Sequence, residues 1–221
     1  PYDETLCINP QDDSFLQKPI WDLEHTPQEE FPLLLHYHPL HLYRYQVCKQ
    51  ADTVLAHYLF PDYQDKETEE NSFRYYEKIT THDSSLSTCV FSIMASRLGL
   101  KDKAYYYFGD SAKMDLLNTH KNSKDGIHAA NMGGSYMAIV NGFARVQAEE
   151  DKLFLAPALP ENWQGYHFRI RYHGSLLEVS VNKETCSIEQ LEGTAITVEL
   201  YGKEYVLEAA NQKVEVPYQE N

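Results

Sequence analysis

Long apolar runs, a charged leader and paired cysteines are all missing from this sequence of 221 residues. No apolar run approaches the roughly 20 residues that a helix needs to span a bilayer, so no membrane partner is expected. The four cysteines stand singly, with no CxxC pair among them. Three of them lie in helix-like or strand-like apolar patterns, which favours reduced thiols in a cytoplasmic protein over a disulfide framework.

Positive charge is also scarce, because the chain has 19 Lys and Arg residues against 33 Asp and Glu residues. Its formal net charge is −14. A chain this acidic, without a Lys- or Arg-rich run, repels nucleic acid phosphates, so no nucleic acid partner is expected. Its hydrophobic content of 43% is enough to bury a core in one large domain or two smaller ones. The start at Pro1, without an initiator methionine, predicts a piece of a longer protein.

Apolar residues recur at helical spacing in four stretches, and each is predicted to form a helix. Pro39 suits the first position of the first helix, and Gly99 ends the second. The predicted helices cover residues 38–60, 81–99, 101–119 and 130–143. All four are apolar enough to need neighbours on more than one side.

The spacing of apolar residues changes from helical to alternating near Arg145. In YHFRIRYHGSLLEVSV, apolar and polar residues alternate on both sides of a His173-Gly174 turn, which predicts a β-hairpin. The same pattern surrounds Tyr201-Gly202. Residues 149–221 are therefore predicted to form a small antiparallel β-domain, and the fold class is α+β.

Two polar stretches near the predicted helices are suited to ligand binding. Lys49 and Gln50 are predicted to lie in the middle of the first helix, about 100° apart, where both can reach one ligand. Ser84 and Ser85 are predicted to open the second helix, where exposed N–H groups and the helix dipole favour an anion. A solvated lysine and ordinary helix capping are the alternatives, and each motif taken alone favours them.

The stretch KDGIHAANMGGSY adds a third polar feature at the start of the fourth helix. His128 can donate to a bound anion, and Gly133 and Gly134 allow the backbone to approach it closely. A satisfied structural role is commoner for a single histidine. In combination with the two other polar stretches, however, this one predicts a pocket for an oxyanion beside a polyol, such as phosphate beside a sugar.

Two further clusters of side chains invite other interpretations. The histidines of HYHPLH suggest a metal, but a proline breaks their spacing and no nearby carboxylate completes a set of ligands, so no metal site is predicted. Phe15, Trp21 and Tyr37 could stack on sugar rings at the mouth of a binding site. Packing in the core is the alternative for each of these aromatic side chains.

Five segments, in order along the chain, resemble the C-terminal part of glycoside hydrolase family 65, and its maltose phosphorylases most of all. They are QDDSFL, LLLHYHPLHLYRYQVCKQADTVLAHYLF, YYEKITTHDSSLSTCVFSIMASRLG, DGIHAANMGGSY and LFLAPALPENWQGYHFRIRYHGSLLEVSV. The resemblance extends over nearly the whole chain. It implies that residues 1–148 supply the last helices of an (α/α)6 catalytic barrel and that residues 149–221 form the C-terminal β-domain.

The resemblance implies an inverting phosphorolysis, in which inorganic phosphate attacks the anomeric carbon of maltose and releases glucose and β-glucose 1-phosphate. An inverting hydrolase needs a base to activate water, whereas phosphate is already an anionic nucleophile. Phosphate is then a co-substrate, and no cofactor is implied. By the same resemblance, the phosphate site matches Ser84, Ser85, His128, Gly133 and Gly134. The residues around the reacting glucose match Lys49 and Gln50.

The general acid implied by the resemblance is a glutamate upstream of PYDETL, and no acidic residue here lies in matching surroundings. We therefore expect this segment alone to be inactive and to need the N-terminal remainder of the same protein. The resemblance also implies a homodimer. The alternatives are trehalose, kojibiose or nigerose in place of maltose, a related hydrolase, and a non-catalytic carbohydrate-binding or assembly module. A large separation between His128 and Ser84 would favour the last.

Overall fold

The computed structural model describes residues 1–220, and its helices all precede its strands. The α-helices are α1 (Leu33–His36), α2 (Pro39–Leu42), α3 (Asp52–Leu59), α4 (Lys66–Ile79), α5 (Ser87–Arg97), α6 (Lys101–Lys113) and α7 (Ala129–Met137). A π-helical segment, Ala138–Phe143, continues α7. Short 3-10 turns lie at Phe15–Gln17, Gln28–Glu30 and Ser123–Asp125.

The single helix predicted for residues 38–60 is wrong, because the chain forms α2 and α3 with a non-helical connection between them. Backbone N–H groups of this connection bond to distant segments. Gln46 donates to the Pro19 carbonyl at 2.9 Å, and Cys48 donates to the Ile79 carbonyl at 2.9 Å. These long-range bonds satisfy the backbone without a helix and override the local apolar spacing.

The other three predicted helices are confirmed with adjusted ends, as α5, α6 and α7 with its π-helical continuation. Helix α4 is absent from the predicted helices, because its stretch KETEENSFRYYEKI is mostly polar. Asp65 caps this helix by accepting the Thr68 N–H at 2.8 Å. Phe73, Tyr76 and Ile79 recur at intervals of three residues and are buried, so α4 does present one apolar face to the core.

The helices enclose an aromatic core around Tyr76, which is completely buried. The ring centroids of Phe15 and Tyr76 lie 6.0 Å apart, and those of Phe73 and Phe91 lie 5.3 Å apart. Phe15 is 3% exposed, so its interpretation as part of a sugar-binding mouth is wrong. Its 3-10 turn directs the ring onto α4, where burial of the apolar face is favourable.

Two four-stranded sheets follow the helices. The strands are β1 (Gln147–Ala148), β2 (Lys152–Leu155), β3 (Gly165–Tyr172), β4 (Ser175–Asn182), β5 (Thr185–Glu192), β6 (Ile196–Leu200), β7 (Lys203–Leu207) and β8 (Gln212–Pro217). Their orders are β1-β2-β6-β7 and β3-β4-β5-β8. All neighbouring strands are antiparallel except β2 and β6, which run parallel with Lys152 beside Thr197. The predicted α+β class is confirmed, whereas the predicted antiparallel domain is antiparallel only in part, because it has two sheets and one parallel strand pair. The boundary at residue 148 stays a prediction.

Both predicted hairpins are confirmed. His173-Gly174 joins β3 to β4, and Tyr201-Gly202 joins β6 to β7. The φ angles are positive at both residues of each turn, at 47° and 81° in the first and 53° and 77° in the second. Two-residue turns of this kind match the twist of the flanking strands, and glycine at the second position adopts a positive φ without steric cost.

The sheets enclose a second core in which Leu177, Val179 and Ile188 are completely buried. Ile139 and Tyr166 pack against both this core and the helical one, so the helical and β parts are in direct contact. Among residues 1–220, none of the helices combines the length and the apolar character needed to cross a membrane.

Candidate functional site

Lys49 and Gln50 lie in a bend just before α3, and not within a helix as predicted. Lys49 is exposed, whereas the Gln50 amide donates to Asp52 Oδ1 at 2.9 Å. The Lys49 carbonyl accepts the Ser84 N–H at 3.4 Å. The first two polar stretches singled out in the sequence are therefore adjacent in space.

Ser84 and Ser85 form a turn ahead of α5, which begins at Ser87 and not at the serine pair. The Ser87 N–H donates to the Ser84 carbonyl at 3.1 Å, and the Ser84 hydroxyl accepts the Leu86 N–H at 3.3 Å. A hydroxyl that accepts one bond still has its own proton to donate. Ser84 can therefore offer a donor to a ligand oxygen at the start of α5.

His82 is half-buried and is not among the predicted site residues, although it lies two residues before the serine pair. Its Nδ1 atom lies 2.8 Å from Ser87 Oγ, and its ring packs edge-on against Phe91 at 4.7 Å between centroids. Burial lowers the pKa of His82 to about 4. His82 is therefore neutral at pH 7 and contributes no positive charge beside Ser84.

His128 lies at the N-cap position of α7 and makes two bonds to the carboxylate of Asp115. Its Nδ1 atom lies 2.6 Å from Asp115 Oδ1, and its backbone N–H donates to Asp115 Oδ2 at 2.8 Å. The two side chains are only 17% and 14% exposed. The hydrogen bond from the His128 side chain lowers the pKa of Asp115, so this carboxyl group is ionised at pH 7.

His120 connects the surroundings of the serine pair to those of His128. Its ring centroid lies 6.0 Å from that of His128. Burial lowers the pKa of His120, as does the charge of His128, while the charges of Asp83 and Asp115 act to raise it. His120 is therefore close enough to interact electrostatically with Asp115 and with Asp83, which precedes Ser84. Among residues 1–220, no direct hydrogen bond joins His128 to Ser84 or Ser85.

Gly133 and Gly134 lie inside α7 and not at its entrance. A Cβ atom at position 134 would come within 2.5 Å of Cys89 Sγ, so this glycine lets α7 pack closely against α5. A Cβ atom at position 133 would meet nothing within 4 Å. Close packing against α5 is therefore enough to explain a glycine at position 134. The predicted role of both glycines beside phosphate stays a prediction.

Two cavities of about 280 Å³ each lie beside this cluster. The first is lined by Lys49, Gln50 and Asp83, together with residues of α1 and α2. The second is mainly apolar and lies between α3, α5 and α7, where Gly133 and Gly134 line it. Gln50 lines both cavities, which places this amide between the Lys49 bend and α7.

The side chains of HYHPLH have local roles. His38 Nδ1 accepts the Leu40 N–H at 3.2 Å, and His41 packs among the rings of Trp21, Tyr37 and Tyr45. Across residues 1–220, no group of three or more His, Cys, Asp or Glu side chains is arranged to hold a metal ion. Cys7, Cys48, Cys89 and Cys186 are free thiols.

Two known domain families match the chain in order. Residues 1–137 match the glycosyl hydrolase family 65 central catalytic domain, and residues 146–207 match the family 65 C-terminal domain. The chain therefore belongs to glycosyl hydrolase family 65.

Its relatives include several disaccharide phosphorylases. The chain is 60% identical over 207 residues to the alpha,alpha-trehalose phosphorylase of Geobacillus stearothermophilus, an alignment that covers 94% of this chain and 27% of that protein. It is 34% identical over 208 residues to the maltose phosphorylase of Bacillus subtilis, and this alignment covers 94% of the chain and 28% of that protein. A solved structure provisionally described as a kojibiose phosphorylase from the human microbiome matches with a TM-score of 0.88 at 31% identity. The match covers 98% of this chain and 30% of that one. The chain thus spans less than a third of the length of these relatives.

Proposed function

We propose that the protein carrying this chain is a disaccharide phosphorylase that acts on an α-glucosidic bond of glucose. Inorganic phosphate attacks the anomeric carbon as the glycosidic C–O bond breaks, and the products are β-glucose 1-phosphate and glucose. The observation that carries this proposal is the 60% identity to a trehalose phosphorylase across nearly the whole of the chain. Two contacts support it: Ser84 bonds to the Lys49 carbonyl, and Gln50 lines the same cavity as Gly133 and Gly134.

Trehalose is the first substrate that we propose, followed by maltose. The maltose phosphorylase of Bacillus subtilis is only 34% identical to this chain, so the comparisons do not favour maltose in the way that the sequence motifs suggested. Kojibiose and nigerose remain substrates to test. One α-glucosyl unit is common to all four sugars, so the same glucose contacts serve each of them.

In this proposal, the residues of the chain bind and orient the two reactants. Ser84, Ser85 and His128 hold phosphate, helped by backbone near the α7 glycines, while Lys49 and Gln50 contact the reacting glucose. Because phosphate is already anionic, the site needs no base to activate a nucleophile, and its main tasks are positioning and charge balance. The Ser84 N–H bond to the Lys49 carbonyl supports this division, since it places the two sets of residues side by side.

The proton for the departing sugar oxygen is proposed to come from a glutamate outside this chain. The helices described here are proposed to complete an (α/α)6 barrel together with the N-terminal remainder of the same protein. This segment alone is then inactive. A cytoplasmic homodimer, as the family resemblance implies, belongs to the same proposal.

Glucose release by the complete polypeptide, with and without inorganic phosphate in the same buffer, tests the proposal. We expect release from trehalose only when phosphate is present, with β-glucose 1-phosphate formed in equal amount. Equal release without phosphate would identify a hydrolase. No release from any of the four disaccharides would favour a non-catalytic module.

A further inference from the structure

Asp115 is the only carboxylate within residues 1–220 that hydrogen-bonds to His128, and both of its oxygens do so. Oδ1 lies 2.6 Å from the ring Nδ1 atom, and Oδ2 accepts the backbone N–H of the same residue at 2.8 Å. Ser123 Oγ makes a longer bond of 3.4 Å to Oδ1. One carboxylate therefore holds the ring and the main chain of a single histidine at once.

This arrangement fixes which ring nitrogen of His128 is left for a ligand. An ionised carboxylate only accepts hydrogen bonds, so the Nδ1 atom that faces it must carry the proton. The bond from the backbone N–H fixes the main chain of His128 at the start of α7. The ring therefore keeps its position relative to Asp115. Nε2 makes no hydrogen bond within residues 1–220 and remains free for a ligand. It can accept the O–H of hydrogen phosphate, and it can donate to a phosphate oxygen when both ring nitrogens carry a proton.

We propose that Asp115 is a positioning residue for phosphate binding, holding His128 so that Nε2 faces the phosphate. The inference rests on the function proposed above. Asp115 itself does not contact phosphate, because both of its oxygens face His128 and a carboxylate repels an anion. The nearby charged or titratable groups are His120, whose ring is 6.0 Å away, and Asp83, which acts on His120.

Replacing Asp115 with asparagine is the informative change, because it keeps the size of the side chain and removes the match to both donors. An amide has one oxygen and one NH₂ group, so it can accept from the ring or from the backbone but not from both. If the NH₂ group faces Nδ1, the proton moves to Nε2 and the ring adopts the other tautomer. Loss of such supporting partners typically costs about 10–100-fold in the affinity of the histidine's ligand, as at metal-bound histidines.

The test measures the KM for inorganic phosphate in the complete polypeptide. We expect Asp115→Asn to raise this KM about tenfold or more, with a much smaller change in the KM for the disaccharide. Asp115→Glu, which restores a carboxylate, is expected to recover part of the loss. Asp125→Asn is the matched control, because Asp125 is an exposed carboxylate in the same connection and the hydrogen bonds of His128 go to Asp115.

A double variant separates positioning from a merely structural role. In a His128→Ala background, Asp115→Asn is expected to cause no further rise in the phosphate KM, because Asp115 acts through the missing ring. The inference is overturned if the rise in phosphate KM in the double variant equals the product of the rises in the two single variants. It is also overturned if Asp115→Asn leaves the phosphate KM unchanged while His128→Ala raises it.

One further measurement keeps the inference testable if the variants are unstable. Nitrogen chemical shifts of the His128 ring in the unmodified protein should show a proton on Nδ1, and a ring protonated only on Nε2 would contradict the assignment. Failure of the proposed function itself is distinguishable, because it appears in the unmodified protein as glucose release that does not depend on phosphate.

Discussion

The two adjacent glycines of α7 offer a sharp test of the packing between α7 and α5. Alanine at either position gains about 1 kcal/mol of helix propensity over glycine. At position 133 the added Cβ atom meets nothing within 4 Å, so Gly133→Ala should stabilise the protein. At position 134 it would lie 2.5 Å from Cys89 Sγ and 2.9 Å from Cys89 Cβ, distances that force one of the helices to shift.

The difference between the two variants isolates the clash, because the gain in helix propensity is the same in both. Overpacking a core by one methyl group typically costs about 1–3 kcal/mol, and this is the expected gap in the free energy of unfolding. Thermal unfolding of the purified protein should place Gly133→Ala above the unmodified protein and Gly134→Ala below it. Adding Cys89→Ala to Gly134→Ala removes the nearer contact and should recover part of the loss.

Gly134→Ala cannot unfold at the same temperature as Gly133→Ala or above it if the clash exists. Either result would mean that α5 and α7 are too far apart for a Cβ atom at position 134 to meet Cys89. The same pair of variants also bears on the predicted phosphate role, since Gly133→Ala should raise the phosphate KM only if the backbone at 133 approaches the ligand.

Three other predictions concern separate parts of the chain. His128→Ala should raise the phosphate KM of the complete polypeptide while leaving the disaccharide KM nearly unchanged, and wild-type phosphate dependence would contradict the site assignment. The pKa of half-buried His82 is lowered from 6.5 to about 4, so the unfolded state binds the proton more tightly. The free energy of unfolding should therefore fall by about 3 kcal/mol as the pH drops from 6.5 to 4. Unfolding temperatures across that range should show a shallower fall in His82→Phe, and an identical fall would be contrary evidence. Gly174→Ala should destabilise the β3–β4 hairpin by about 1–2 kcal/mol, because φ is 81° there, and Gly133→Ala is a control that lacks this strain.

The β-hairpins could be predicted from the sequence because their determinants are local. Alternation of apolar residues sets the face of each strand, and a glycine at the second turn position sets the hairpin geometry. Residues 38–60 show the opposite case. Their apolar spacing fits a helix, but the carbonyls of Pro19 and Ile79 bind the N–H groups of Gln46 and Cys48, and no local pattern contains that information.

The candidate site was predictable in its residue types and not in its supporting contacts. Ser84 and His128 belong to short polar stretches that stand out beside apolar helices. Asp115 lies 13 residues before His128 in an irregular connection, at a spacing that follows no helical or strand period. The sequence around His82 does not indicate that its side chain is covered, because the covering rings come from α5 and α6.

The parallel pairing of β2 with β6 has a consequence for the growing chain. Lys152 leaves the ribosome well before its partner Thr197, and at about 5–20 residues per second the delay is several seconds. During that interval the β3–β4–β5 meander can close by local hairpins, while β2 has an unpaired edge that invites association with other chains. A chaperone that shields that edge should therefore increase the yield of folded protein.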